Sequence, residues 1–204
     1  MRLILLFMAA FSLTSCGSDY KPEVPKDGAG AASGKVETAV FAGGCFWCTE
    51  ADFEKVPGVI SAVSGYTGGT LDNPTYEQVS AGGTGHYEAV QVKFDPARVS
   101  YAALTQYFFR TVDPTDPTGQ FCDKGDSYRT AVFVDGEAQK KAAEGAKKGA
   151  GAVLKQPVVT AILPAARFFP AEDYHQDYAK LNSVKYRYYR ARCGRDARLK
   201  ELWG

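Results

Sequence analysis

Residues 36–56 read VETAVFAGGCFWCTEADFEKV, and the fold turns on how this stretch divides. VETAVFA at 36–42 has the β-branched and aromatic mix of a strand. Gly43-Gly44 break it, and the polar–apolar run from Phe46 to Val56 suits a helix stopped by Pro57-Gly58. Working outward, Val59 to Tyr66 reads as a second strand, followed by a Gly-rich loop, and HYEAVQVKF at 86–94 alternates as a half-buried strand should. Tyr101 to Thr111 is apolar at helical spacing and ends before Pro114 and Pro117, and Tyr128 to Val134 reads as a further strand. The order β-α-β-β-α-β predicts an α/β (α+β) fold with a ferredoxin-like, split βαβ core. Additions are expected after it: a solvated helix over Glu137 to Lys148, a strand over Val158 to Leu163, a short helix over Asp173 to Leu181, and a long irregular C-terminal region.

Composition excludes several classes. The chain has 204 residues, 45% apolar and 23% charged, so whole-chain disorder and collagen-like repeats are ruled out. A chain of this length buries a core without staples, and five cysteines are too few for a disulfide scaffold. The 24 basic and 23 acidic residues give no push toward nucleic acid or an anionic surface.

The first residues form an address. MRLILLFMAAFSLTSC at 1–16 has a basic start at Arg2, a short apolar run and small residues before Cys16. The run is below the ~20 residues of a spanning helix. Leu13-Thr14-Ser15-Cys16 resembles a bacterial lipoprotein box, which implies a signal peptide over 1–15 and acylation of Cys16. With Gly17 and Ser18 following, the resemblance favours the outer membrane of the cell envelope, facing the periplasm. An ordinary cleaved signal is the competing reading. Residues 16–35 read as the lipidated cysteine and a flexible tether, and 36–204 as a single domain. Loss of Arg2 with the signal leaves 23 residues of each charge.

Cys45 falls where the predicted strand meets the predicted helix. A helix N-terminus offers free N–H groups and a positive dipole end, so a lowered thiol pKa is expected there. Cys48 lies about one helical turn on, within reach of a disulfide. Three other readings compete: a buried pair with no chemistry, a thioredoxin-like electron carrier using C-x-x-C, and a zinc site. Zinc would need two more ligands from Cys122, Cys193, His86 or His175, none of which forms a second paired motif.

GGCFWC at 43–48, PGV at 57–59, GYTGG at 65–69, NPTYEQV at 73–79, GHYEAVQVKFDP at 85–96 and DKGDSYRTAVF at 123–133 agree in order and spacing with a known family. With the E-x-Y-HQDY run at 172–178, they make residues 36–180 resemble the A-type peptide methionine sulfoxide reductases, in the form with a GCFWC start. The terminal CGRDARLKELWG is similar to members with that start.

The resemblance implies an oxidoreductase of protein repair under oxidative stress, which reduces methionine-S-sulfoxide, protein-bound and free. It implies Cys45 as nucleophile and Glu88 as acid, with a carboxyl pKa raised by burial. Tyr76 and Tyr128 match hydroxyls that hydrogen-bond the sulfoxide oxygen, Phe46 and Trp47 match walls around the substrate methyl, and Asp123 matches an aspartate that helps position substrate. The product on Cys45 is a sulfenic acid, closed by a second thiol to a redox-active disulfide. Cys48 stands where the commoner motif has Gly, and is the first choice as resolving thiol; Cys193 is the second, as resolver or relay. No cofactor or metal is implied, only an external thioredoxin-like dithiol. The partners expected are the sulfoxide, that reductant and a membrane through the lipid alone, for a monomer without nucleic acid. A non-enzymatic thiol–disulfide carrier is the alternative from another class. It has no need of Glu88, Tyr76 or Tyr128.

Plainer readings stand beside these. Cys122, directly before Asp123, reads as a small packed residue, His86 and His175 as structural hydrogen-bonders, and YRYYRAR at 186–192 as a helix face packed on the domain rather than a nucleic-acid stripe.

Overall fold

The computed structural model describes residues 22–25 and 34–204. The signal, the Cys16 lipidation site and most of the tether lie outside the described residues. In chain order the elements are β1 (Glu37–Gly43), α1 (Phe46–Phe53), β2 (Val59–Thr67), α2 (Tyr76–Ser80), β3 (Tyr87–Phe94), α3 (Tyr101–Arg110), β4 (Gly119–Gln120), β5 (Asp123–Lys124), β6 (Thr130–Val134), α4 (Gly136–Leu154), β7 (Ala161–Pro164), β8 (Phe169–Pro170), α5 (Tyr178–Leu181), α6 (Ser183–Arg192) and α7 (Arg195–Trp203).

The main sheet runs β7-β6-β1-β3-β2-β8. Its four central strands, β6-β1-β3-β2, are mutually antiparallel neighbours. With α1 and α3 as the two crossovers they form the expected split βαβ core. β7 adds in parallel to β6 at one edge, and β8 adds antiparallel to β2 at the other.

Strand alternation sorts the side chains. Phe41, Val90, Val92, Phe94 and Val132 point to the helix-covered face, where Phe41 stacks on Phe53 of α1 at 4.8 Å and on Phe108 of α3 at 5.1 Å. Ala42, Tyr87, Ala89, Ala131 and Phe133 form a smaller cluster on the other face.

Three differences from the sequence expectations bear on the site. Tyr128 does not open a strand: it ends a 3₁₀ turn over Asp126–Tyr128, and β6 starts at Thr130. Tyr76 starts a helix, capped by a reciprocal Thr75–Gln78 box. The C-terminal region is not irregular but two helices, α6 and α7, with Tyr186, Arg195 and Leu199 buried. Their apolar positions are few and their burial is achieved through charged and aromatic groups, so hydrophobic periodicity carried no signal for them.

Candidate active site

The site begins at the turn between β1 and α1. Gly44 has φ +78, and a Cβ there would lie 2.5 Å from Gln120 Cβ, so this position admits only glycine without rearrangement. The turn delivers Cys45 to the N-cap of α1, where its carbonyl accepts the N–H of Cys48 at 3.1 Å and its side chain caps nothing. The first N–H of the helix, that of Phe46, is given instead to Glu88 Oε2 at 3.0 Å.

This corrects the expected acidity of Cys45. Cys45 is only 5% exposed. Burial raises its pKa well above the ordinary value, and its hydrogen bond with Cys48 raises it further. The same hydrogen bond, against the effect of burial and with help from Arg195 and Arg190, lowers Cys48 to about 7. Of the two hydrogen-bonded thiols, Cys48 is the more acidic.

Glu88 sits on β3 opposite Tyr66 of β2. Its neighbour Tyr87 faces the other side of the sheet, edge-on to Phe133. Glu88 is 3% exposed, and burial lifts its pKa to about 8, although the Phe46 N–H and Tyr128 hydroxyl pull the other way. Tyr128 is in hydrogen-bond contact with both Glu88 and Tyr76. Both phenols are held in the neutral form, first by burial and then by the Glu88 charge. The N–H of Tyr76 donates to Glu172 Oε1 at 2.9 Å, and the Tyr66 hydroxyl donates to Glu172 Oε2 at 2.9 Å.

An aromatic wall flanks this polar group. Trp47 stacks on Tyr178 at 3.7 Å and meets Tyr189 edge-on at 5.8 Å. Its indole N–H donates to His175 Nδ1 at 3.0 Å. His175 lies 5.0 Å from the Phe46 ring and 4.6 Å from Tyr76. Burial lowers its pKa, which keeps the accepting nitrogen free. His86 is also structural: Nδ1 accepts the Gly69 N–H at 3.2 Å, and Nε2 is 2.8 Å from the Leu71 carbonyl.

The structure thus brings Cys45, Cys48, Phe46, Trp47, Tyr76, Glu88 and Tyr128 together. Asp123 joins them through Tyr189, whose hydroxyl donates to Asp123 Oδ2 and is hydrogen-bonded to the Cys45 sulfur. Cys193 holds no free thiol. It is disulfide-bonded to Cys122, which is exposed at the tip of the β4–β5 hairpin rather than packed inside. The residue before it, Phe121, takes φ +55, the left-handed conformation that a two-residue hairpin turn demands.

Sequence reasoning missed the parts that fasten the site. Glu50 accepts the Ser64 N–H at 3.0 Å and the Asp177 N–H at 2.6 Å, tying α1 to β2 and to the C-terminal arm. Arg195, 2% exposed, donates to the carbonyls of Gly43 at 3.2 Å and Thr111 at 2.7 Å. Arg190 bridges Asp52 and Asp196. Glu172, His175 and Tyr178 lie in the quoted E-x-Y-HQDY motif, which carries a signal for them. Tyr189 and Arg190 sit in the YRYYRAR run, which the sequence marks as a packed helix face but not as one that reaches the site.

The family model described as peptide methionine sulfoxide reductase matches residues 37–204. Peptide methionine sulfoxide reductase MsrA 2 of Caulobacter vibrioides is 52% identical over 100% of this chain and 98% of its own length. Among solved structures, reduced Mxr1 of Saccharomyces cerevisiae superposes with a TM-score of 0.70 at 31% identity, over 74% of this chain and 88% of that one. Mxr1 in complex with Trx2 superposes at 0.52 with 25% identity, over 72% and 87%. A match over nearly all the described chain, half-identical relatives and a shared fold lead to one conclusion: the chain belongs to the peptide methionine sulfoxide reductase family.

Proposed function

We propose that this chain reduces methionine-S-sulfoxide, in proteins and as the free amino acid, with Cys45 as nucleophile and Glu88 as general acid. The observation that carries the reading is the Phe46 N–H to Glu88 hydrogen bond at 3.0 Å, which sets a buried carboxyl beside the cysteine at the start of α1. With its pKa near 8, that carboxyl holds a proton at neutral pH.

The Cys45 sulfur attacks the sulfoxide sulfur. The oxygen, accumulating charge, accepts hydrogen bonds from the neutral hydroxyls of Tyr76 and Tyr128 and takes the Glu88 proton. The S–O bond breaks, methionine leaves, and the hydroxyl ends on Cys45 as a sulfenic acid. As substrate enters, Cys48 in its thiolate form takes the Cys45 proton. It then attacks the Cys45 sulfur, forming the S–S bond and expelling the hydroxyl as water. Phe46 and Trp47 enclose the methyl group, and fixed places for methyl and oxygen admit one handedness of sulfur. Asp123 and Tyr189 position the substrate's polar end.

A thioredoxin-like dithiol resets the enzyme, consistent with the solved complex of the yeast relative with Trx2. The chain works as a monomer of the GCFWC subtype without metal or cofactor, exported by residues 1–15 and anchored through Cys16, with residues 36–204 as its catalytic domain. The test is incubation of reduced protein with racemic methionine sulfoxide and dithiothreitol. Consumption of the S epimer alone supports the reading. A reactive Cys45–Cys48 pair with no sulfoxide consumed favours the carrier alternative.

A further inference from the structure

The described part of the tether, PEVP at 22–25, is seated on the domain. Val24 packs against the main core cluster, and Val24 and Pro25 are half-buried. With Glu23 they line one side of a cavity of about 740 Å³. Its other walls include Ala103, Gln106 and Arg110 of α3, Ala146 and Val153 of α4, and Trp203 at the end of α7. None of the residues placed around Cys45 lines this groove, so a chain seated there leaves the active site clear.

Groove and segment match in form. Trp203 is fixed in place: its indole N–H donates to the Val112 carbonyl at 3.3 Å, and the Arg110 guanidinium lies over its ring at 4.5 Å. On α4, a Cβ added to Gly145 or Gly149 would meet nothing within 4 Å, so the helix leaves room beside the seated residues. Glycine inside a helix is less favourable than alanine, and no neighbour within the domain requires it at these two positions. In the segment, each proline fixes its own φ and biases the residue before it toward an extended backbone. Val24 and Pro25 therefore lose little freedom on seating. Pro22 and Pro25, three apart, share one face of a polyproline helix, the form in which Pro-rich chains lie in aromatic-lined grooves. Glu23 and Arg110 bring opposite charges to the same groove.

We propose that the groove between α3 and α4 is the dock of the chain's own tether, seated through Val24 and Pro25, and that it holds this face of the domain toward the lipid anchor. The orientation rests on the Cys16 anchoring proposed above; the docking does not. Cys16 and Glu23 are seven residues apart, a span of at most about 25 Å, against about 70 Å for the whole tether to Val36 fully extended. The catalytic domain thus stays close to the membrane with one face fixed toward it, instead of swinging on the full length of residues 16–35.

The dock is tested on the mature chain from residue 16, kept free of lipid by Cys16→Ser. With labelled valine methyls, Val24 should show nuclear Overhauser contacts to side chains of α3 and α4. In a Trp47→Phe background, where Trp203 is the remaining tryptophan, Val24→Asp should raise acrylamide quenching of its fluorescence several-fold. Random-coil shifts for Val24 with no such contacts overturn the dock. Contacts found only between differently labelled copies place the tether in a neighbour's groove and overturn it as well. The orientation is tested on lipidated protein in vesicles of phosphatidylethanolamine and phosphatidylglycerol carrying a dansyl-labelled lipid. Energy transfer from Trp203 to the dansyl group should fall several-fold in Val24→Asp, and equal transfer from both chains overturns the orienting role. A mature chain that does not bind the vesicles overturns the anchor and with it the orientation, while the Val24 contacts still decide the dock.

Discussion

The backbone N–H of Phe46 and the carboxyl of Glu88 are 42 residues apart in sequence and 3.0 Å apart in space. The contact fastens the start of α1 to the middle of β3. It also places the residue after the nucleophile against the acid, and uses the N–H that would otherwise have favoured a Cys45 thiolate.

Glu88 sets the pH response. Its proton is present at neutrality and lost through about pH 8, so kcat/KM should fall above that value. Glu88→Gln keeps an acceptor for the Phe46 N–H but has no transferable proton, and should lower the reduction rate by ~10²–10⁴-fold. Stability gives a second readout. The folded carboxyl binds its proton more tightly than an unfolded one near 4.5. The folded state is therefore favoured most below that range and loses stability as pH rises through about 8. Urea melts should show this decline in the wild type and its reduction in Glu88→Gln.

Cys48 should resolve the sulfenic acid. Cys48→Ser should produce methionine in a single burst and then stall with a sulfenic acid or mixed disulfide, read by intact mass. Normal cycling of that variant with a protein reductant would assign resolution to Cys193 or Cys122 instead.

His175 orients the aromatic wall. Replacing it with Phe keeps the ring contacts but removes the acceptor for the Trp47 indole, a net loss of about 1 kcal/mol. KM should rise several-fold, with a smaller change in kcat and poorer discrimination between epimers. An unchanged KM would mean that stacking on Tyr178 alone holds Trp47.

The Arg190–Asp52 pair is nearly buried, at 12% and 3% side-chain exposure. Arg190→Ala should cost up to about 3–5 kcal/mol in denaturant unfolding, because the buried Asp52 carboxylate then keeps only the exposed Lys55 as ion-pair partner. Replacing both with apolar residues of similar volume should recover much of the loss. Equal instability of both variants would show that Arg190 acts through Asp196 and Tyr186 instead.

Processing at the N-terminus is checked by mass. Mature protein from the envelope should begin at Cys16 and carry acyl chains. A mature chain with an unmodified Cys16 removes the anchor.

Much of the fold was legible because its signals are local. Gly43-Gly44 between a β-branched run and an amphipathic one mark the strand–helix junction, and the alternation of HYEAVQVKF puts Glu88 and Tyr87 on opposite faces. Elements outside the core were less so. The Thr75–Gln78 capping box was present in the sequence, but α2 has only five residues and no apolar period to flag it. α6 and α7 are held by Arg190, Arg195 and Tyr189 reaching across the fold to Asp52, Gly43 and Asp123, contacts that no window of sequence contains. The acidity of Cys45 is hidden from the sequence for a related reason. The helix start was visible locally, while its burial beneath the C-terminal arm and the claim of Glu88 on the Phe46 N–H depend on tertiary structure.

The central claim is that the Cys45 sulfur receives the oxygen. It is tested most directly by a single turnover of Cys48→Ser, with Cys122–Cys193 intact, on methionine-S-sulfoxide in the presence of dimedone. The account predicts methionine and a dimedone adduct on the Cys45 peptide in equal amounts. Methionine formed without modification of Cys45, or the adduct on another cysteine, would contradict it.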